Sequence, residues 1–370
     1  MKKVIFLAGT LLFVAIGFAQ NTSAVSQVGN DNDAVVVQSE FFNNSVVIQG
    51  EAGNAAYANK AIINQSSHRN QSTVKQFDGR DGENENNYAK VTQTGYDHVS
   101  MVEQLDDDNI SEVSQRGRRS NSKIYQIGSS NFSYIDQVGS LHTSVINQSG
   151  DAGELEPNNE TYVYQSGKSN NSLVNQDNTL NFADVYQRGV DNESEIEQAT
   201  INPAGGTENH AEIYQWGDFN TASVIQAGLY PQGSLGLGSY YNKSFQTQIG
   251  DYNESFVKQE GSGHLVTQTQ MGNANWVDDL QKGASQESHV IQEGDHNISA
   301  TVQNAWGHYS KVKQLGDWNN SDVYQTGGQH SSTLLQDGDY NVHTVHQSGN
   351  GNMSMVDQIG NGNSSSLIQN

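Results

Sequence analysis

Along this chain, short runs alternate between positions of fixed chemistry and positions of free chemistry. The fixed positions read Asn, small, aliphatic, Gln, as in Asn131-Phe132-Ser133-Tyr134-Ile135-Asp136-Gln137. The residues between them are mixed: Lys123 and Tyr125, Tyr134 and Asp136, Lys311 and Lys313. A period of two puts alternate side chains on opposite faces of an extended chain, so each run predicts a β-strand with one buried face. Gly-x-x-Asn follows most runs, and glycine tolerates the positive φ of a tight turn.

The run recurs at a fixed interval. From Gln248 the glutamines fall every eleven residues, at Gln259, Gln270, Gln281, Gln292, Gln303, Gln314, Gln325, Gln336, Gln347, Gln358 and Gln369. Turn asparagines accompany them at Asn253, Asn275, Asn297, Asn319 and Asn341. Traced back to Gln27, 23 of the 28 gaps between 29 repeat glutamines are eleven residues long. Such a period means stacked copies of one unit, none of which buries its own face. The position two before the glutamine is aliphatic except at Gln246, Gln268, Asp279 and Thr301.

The five longer gaps follow Gln49, Gln76, Gln148, Gln198 and Gln226, which close strands 3, 5, 11, 15 and 17. All five numbers are odd, so a coil of two strands places every insertion on one edge. The insertions lie near 50–58, 77–87, 149–159, 199–209 and 227–241, and they hold Pro157, Pro203 and Pro231. Proline cannot donate to a strand ladder and belongs in such loops. The expected fold is therefore all-β: a cross-β solenoid with two strands per 22-residue coil, parallel and in register, with 14–15 coils in a single domain over 20–370. Coils about 4.8 Å apart would give a rod of roughly 70 Å. Inward Gln and Asn must be paired, at ~1–3 kcal/mol per unsatisfied group. Stacked in register, each amide can donate to one copy and accept from the next.

Composition changes this picture little. Apolar residues make up 34% of the 370 residues, below the usual ~45–50% of a globular domain. Low apolar content suggests disorder, but a fixed register of aliphatic positions does not. Net charge is -23 and cysteine is absent, which disfavours nucleic acid and excludes disulfides and thiol chemistry. Lys2 and Lys3, the apolar run Val4–Phe18 and the small residues Gly17 and Ala19 read as a secretory signal over 1–19. That run is too short to span a bilayer, so no membrane insertion is expected.

Candidate chemistry is sparse. His98, His142, His264, His308 and His330 occupy the turn asparagine slot and read as hydrogen-bonding substitutes rather than metal ligands. A row of Asp218, Asp251, Asn273, Asp295, Asp317, Asp339 and Asn361 runs along one edge, and His296, Trp318 and Tyr340 follow three of its aspartates. The row reads as solvated turn aspartates that limit aggregation, with divalent-cation binding as the alternative. Asp106-Asp107-Asp108 and Arg116, Arg118 and Arg119 read as solvated turns. Neither a phosphate-binding Gly-rich loop nor a Gly-x-Ser-x-Gly elbow is present, so no enzymatic activity, catalytic residue, metal or cofactor is expected.

Asn-x-Ala/Ser-x-Val/Ile-x-Gln-x-Gly-x-x-Asn in tandem resembles the curlin repeat of secreted bacterial amyloid subunits. Asn131 to Gly139 and Asn319 to Gly327 carry the match. The resemblance implies a secreted homopolymer, a curli-like extracellular fibre for biofilm matrix and adhesion. It also implies an outer-membrane secretion channel and a nucleator as partners. The alternatives are a nucleator or minor subunit, or a monomeric β-solenoid adhesin. Open strand edges are templates for pairing, so growth is expected at the ends, with the next subunit docking on the edge closed by Gln369.

Overall fold

The computed structural model describes residues 20–50, 56–77, 86–150, 158–200, 208–228 and 241–370. The signal segment and the centres of the five insertions lie outside these residues. The described residues form two long parallel sheets, one of 15 strands and one of 14, plus a two-stranded pair formed by Gly29–Asn30 and Ala56–Tyr57. No helix occurs among them.

Alternate repeats go to alternate sheets. The first sheet holds the strands that contain Gln27, Gln49, Gln76 and every second repeat glutamine on to Gln369. The second holds those that contain Gln38, Gln65, Gln93 and on to Gln358. Each strand pairs with the strand two repeats away, like on like: Ser111 with Ser133, Val113 with Ile135, Gln115 with Gln137. All five insertions lead from a first-sheet strand to a second-sheet strand, whereas every return connection keeps the eleven-residue spacing. The two edges of the rod therefore differ.

Between the sheets lies a thin core. Ile124, Ile135, Ile146, Val163 and Val174 are fully buried, and each contributes roughly 1.5–3 kcal/mol. Ser and Ala beside them, such as Ser122, Ser133 and Ala183, let the sheets come close. The buried apolar residues form two clusters, one from Val47 to Val266 and one from Val277 to Val345.

The turns are tight. At Gly272, φ is 116°, and a Cβ would lie 2.1 Å from the Gly294 carbonyl oxygen of the next coil. The residue before most turn asparagines also lies in the left-handed region: Tyr252, His296, Trp318 and Tyr340 have φ of 58°, 58°, 59° and 58°. A bulky residue there costs about 1–2 kcal/mol. It is held because its N–H donates to the preceding coil, as from Trp318 to the Asp295 carbonyl at 3.0 Å.

Candidate assembly site

The buried glutamines form two continuous columns, one per sheet. Nε2 of Gln248 donates to Oε1 of Gln270 at 2.9 Å, Gln270 to Gln292 at 3.0 Å, Gln292 to Gln314 at 2.8 Å, Gln314 to Gln336 at 2.9 Å, and Gln336 to Gln358 at 2.9 Å. In the other sheet Gln259 donates to Gln281 at 3.1 Å, Gln281 to Gln303 at 2.9 Å, Gln303 to Gln325 at 2.9 Å, Gln325 to Gln347 at 2.8 Å and Gln347 to Gln369 at 2.7 Å. The second amide hydrogen crosses to the opposite sheet. Gln259 donates to the Lys243 carbonyl at 3.0 Å and Gln292 to the Trp276 carbonyl at 3.0 Å. One side chain thus stacks the coils and ties the two sheets together. Serine or alanine could do neither.

The asparagines form a column on the edge free of insertions. Oδ1 of Asn253 accepts from the backbone N–H and from Nδ2 of Asn275, both at 3.1 Å. The same pair of bonds links Asn297 to Asn275, Asn319 to Asn297 and Asn341 to Asn319. Asparagines donate toward the N-terminal end, while glutamines donate toward the C-terminal end. The repeat spacing fixes the columns but not this opposed polarity, which depends on side-chain rotamers.

Histidine copies asparagine in both functions. Nδ1 of His308 accepts the His330 backbone N–H at 3.3 Å, and its Nε2 faces the Asn304 carbonyl at 2.7 Å. His330 repeats the arrangement with Asn352 and Thr326, and the two rings stack at 5.1 Å. These bonds require a neutral imidazole with the proton on Nε2. Burial lowers the pKa of His98, His142 and His308, and lowers that of His264 to about 4.

The aspartate row is bonded to the backbone rather than simply solvated. Oδ1 of Asp295 accepts the Asn273 N–H at 2.7 Å, Asp317 accepts that of Asp295 at 2.8 Å, and Asp339 that of Asp317 at 2.9 Å. Beside the row, the His296 and Trp318 rings stack at 4.2 Å, and those of Trp318 and Tyr340 at 6.3 Å. Outward positions, heterogeneous along the chain as a whole, are locally uniform. Tyr164, Tyr186 and Tyr214 form a column with ring separations of 6.4 and 6.2 Å. The signal for it is the Tyr-Gln pair that closes three consecutive second-sheet strands.

The four departures from the aliphatic position meet in one place. Nε2 of Gln246 donates to Gln268 at 3.2 Å, and Gln268 donates onward to Oδ2 of Asp279 at 2.7 Å. Ser288 donates to Oδ1 of Asp279 at 2.8 Å. Gln246, Gln268, Asp279 and Thr301 are all buried, and this network is where the apolar core divides. Val266 and Val277 fill the small-residue positions of two of these strands, so apolar and polar positions have exchanged places there. Burial raises the Asp279 pKa to about 6.

The family model described as curlin associated repeat matches residues 123–150. That stretch is similar to a curlin repeat. The match covers the strands Phe132–Ser140 and Thr143–Ser149 and all but the first two residues of Asn121–Ile127, and the first and last of these in chain order pair with each other in register. Every other repeat glutamine holds the same register position, so this unit serves as the template for the whole stack. Curlin repeats are structural units rather than catalytic ones. No curated protein matches the chain.

Proposed function

We propose that this chain is a secreted structural subunit that assembles end to end into extracellular amyloid fibres serving biofilm matrix and adhesion. A secretion channel and a nucleator are its proposed partners, and residues 1–19 its proposed export signal. The observation that carries this reading is that both amide ladders run to open edges. Among the described residues, the strands Met353–Ile359 and Ser364–Gln369 pair on one side only, as do Thr22–Gln27 and Asp33–Gln38. Val356 and Leu367, which pack against the core, stay half-exposed there. Gln358 and Gln369 point amide donors the way the column runs, and Gln27 and Gln38 offer oxygens at the other end. A second copy would meet donor with acceptor and bury Val356, Leu367 and Val36.

Purified residues 20–370 should form thioflavin-positive, sedimentable fibres whose growth is accelerated by seeds. Chains that persist as monomeric rods in sedimentation would overturn the reading and favour a monomeric adhesin.

A further inference from the structure

The edge without insertions carries fourteen turns of uniform length, each leading from a second-sheet strand to a first-sheet strand. Counted from the turn after Gln38, its charge is divided along the rod. At the two residues before the turn asparagine slot, the first seven turns hold four Lys/Arg (Arg69, Arg118, Arg119, Lys168) and two carboxylates (Asp97, Asp191). The last seven hold five aspartates and no Lys or Arg.

We propose that two copies of this chain pair side by side, antiparallel, along this edge. An antiparallel pair is self-complementary, so each contact occurs twice. The cations lie in turns 2, 4 and 6, and Asp251, Asp295 and Asp339 lie in turns 9, 11 and 13, both sets at every second coil. With the two rods fully overlapped, Arg69 meets Asp339 of the second copy, Arg118 and Arg119 meet Asp295, and Lys168 meets Asp251. The side chains are exposed enough to reach a partner. Arg69 and Arg119 are 65% and 69% exposed, and Arg118 and Lys168 are exposed. In Asp295 and Asp339 one carboxylate oxygen is bonded to backbone, which fixes the group and leaves Oδ2 for a partner.

The same register sets Asp97 against Asp317. Asp97 already lies between Arg69 at 3.0 Å and Arg119 at 3.7 Å. Asp191 against Asp218 is the single uncompensated like-charge meeting. Tyr96, covered by Arg118 at 5.5 Å from its ring centroid, lies opposite Trp318. The opposite edge could not pair this way, because the insertions interrupt it. The contact is sideways and does not depend on end-to-end growth.

Each exposed ion pair is weak, so the pairing draws on several at once and fades with salt. The cross-section of the rods or fibres, measured by small-angle X-ray scattering, should double at about 20 mM salt and return to a single rod at about 500 mM. Reversing Arg118 and Arg119 to Glu, or reversing Lys168→Glu alone, should leave single rods at low salt with the β circular dichroism unchanged. Adding Asp295→Lys to the Arg118/Arg119 reversal should restore pairing. In wild type, carbodiimide should join Lys168 to Asp251 of another chain, as read with isotope-labelled mixtures. Pairing that survives the reversals, or that yields no such crosslink, would overturn the proposal. Loss of fibre growth with pairing intact would bear only on the proposed function.

Discussion

Asp279 and His264 show how single buried groups tune the stack, and they act in opposite directions with pH. Burial raises the folded-state pKa of Asp279 from 3.8 to about 6, so the folded chain binds the proton more tightly than the unfolded one. Stability from this group is greatest below 3.8 and declines as pH rises to 6, by about 3 kcal/mol in all. Asp279→Asn should therefore raise the denaturant midpoint at pH 7 and match wild type below pH 3.8. His264 behaves the other way: burial lowers its pKa from 6.5 to about 4, so its ladder bonds are intact above 6.5 and fail as pH falls. Protonation would put an N–H on Nδ1, facing the Gln286 backbone donor. His264→Asn should abolish a loss of about 3 kcal/mol between pH 6.5 and 4, read from denaturant midpoints across that window. At this scale the sequence showed that these histidines replace asparagine, because they keep its register position. It showed Asp279 only as an exception. That Asp279 joins Gln246 and Gln268 depends on which strands face each other across the core, which the repeat count alone does not supply.

Strands and turns were the most legible level. A glutamine every eleven residues located the strands, though many run one to three residues past it, and the odd numbering of the longer gaps placed alternate strands in different sheets. The sheet order Gln115, Gln137, Gln165 against Gln126, Gln148, Gln176 follows that numbering. What spacing could not show was hydrogen-bond direction, or the bonds from the Asp295, Asp317 and Asp339 carboxylates to the coil before. The glutamine columns predict a local cost. Gln292→Ala removes a donor to Gln314 and to the Trp276 carbonyl and should destabilise the stack by about 1–3 kcal/mol, measured by denaturant. The terminal strand predicts a different outcome. Leu367→Lys puts a charge on the inward face of an edge strand, a device that blocks pairing. Seeded growth should slow at least about tenfold while the β circular dichroism of the rod stays unchanged. Growth at the wild-type rate would show that this edge is not where copies join.

For the whole molecule, the organising fact is that, outside the polar network at Asp279, each coil offers the next the same surface: two aliphatic side chains, two glutamine amides and two turn positions. On the proposed function, a second copy continues the stack that the first began. The polar network at Asp279 divides the core without interrupting either glutamine ladder, since Gln259, Gln281 and Gln303 run past it. Continuity of these ladders across chain junctions is the central claim, and X-ray diffraction from aligned fibres of residues 20–370 tests it most directly. Parallel in-register coils continued from chain to chain predict a sharp reflection near 4.8 Å along the fibre axis, a broad one near ~10 Å across it, and none near twice the axial spacing. An axial repeat near ~9.6 Å, the mark of antiparallel pairing, or a preparation that yields no fibres to align, would contradict it.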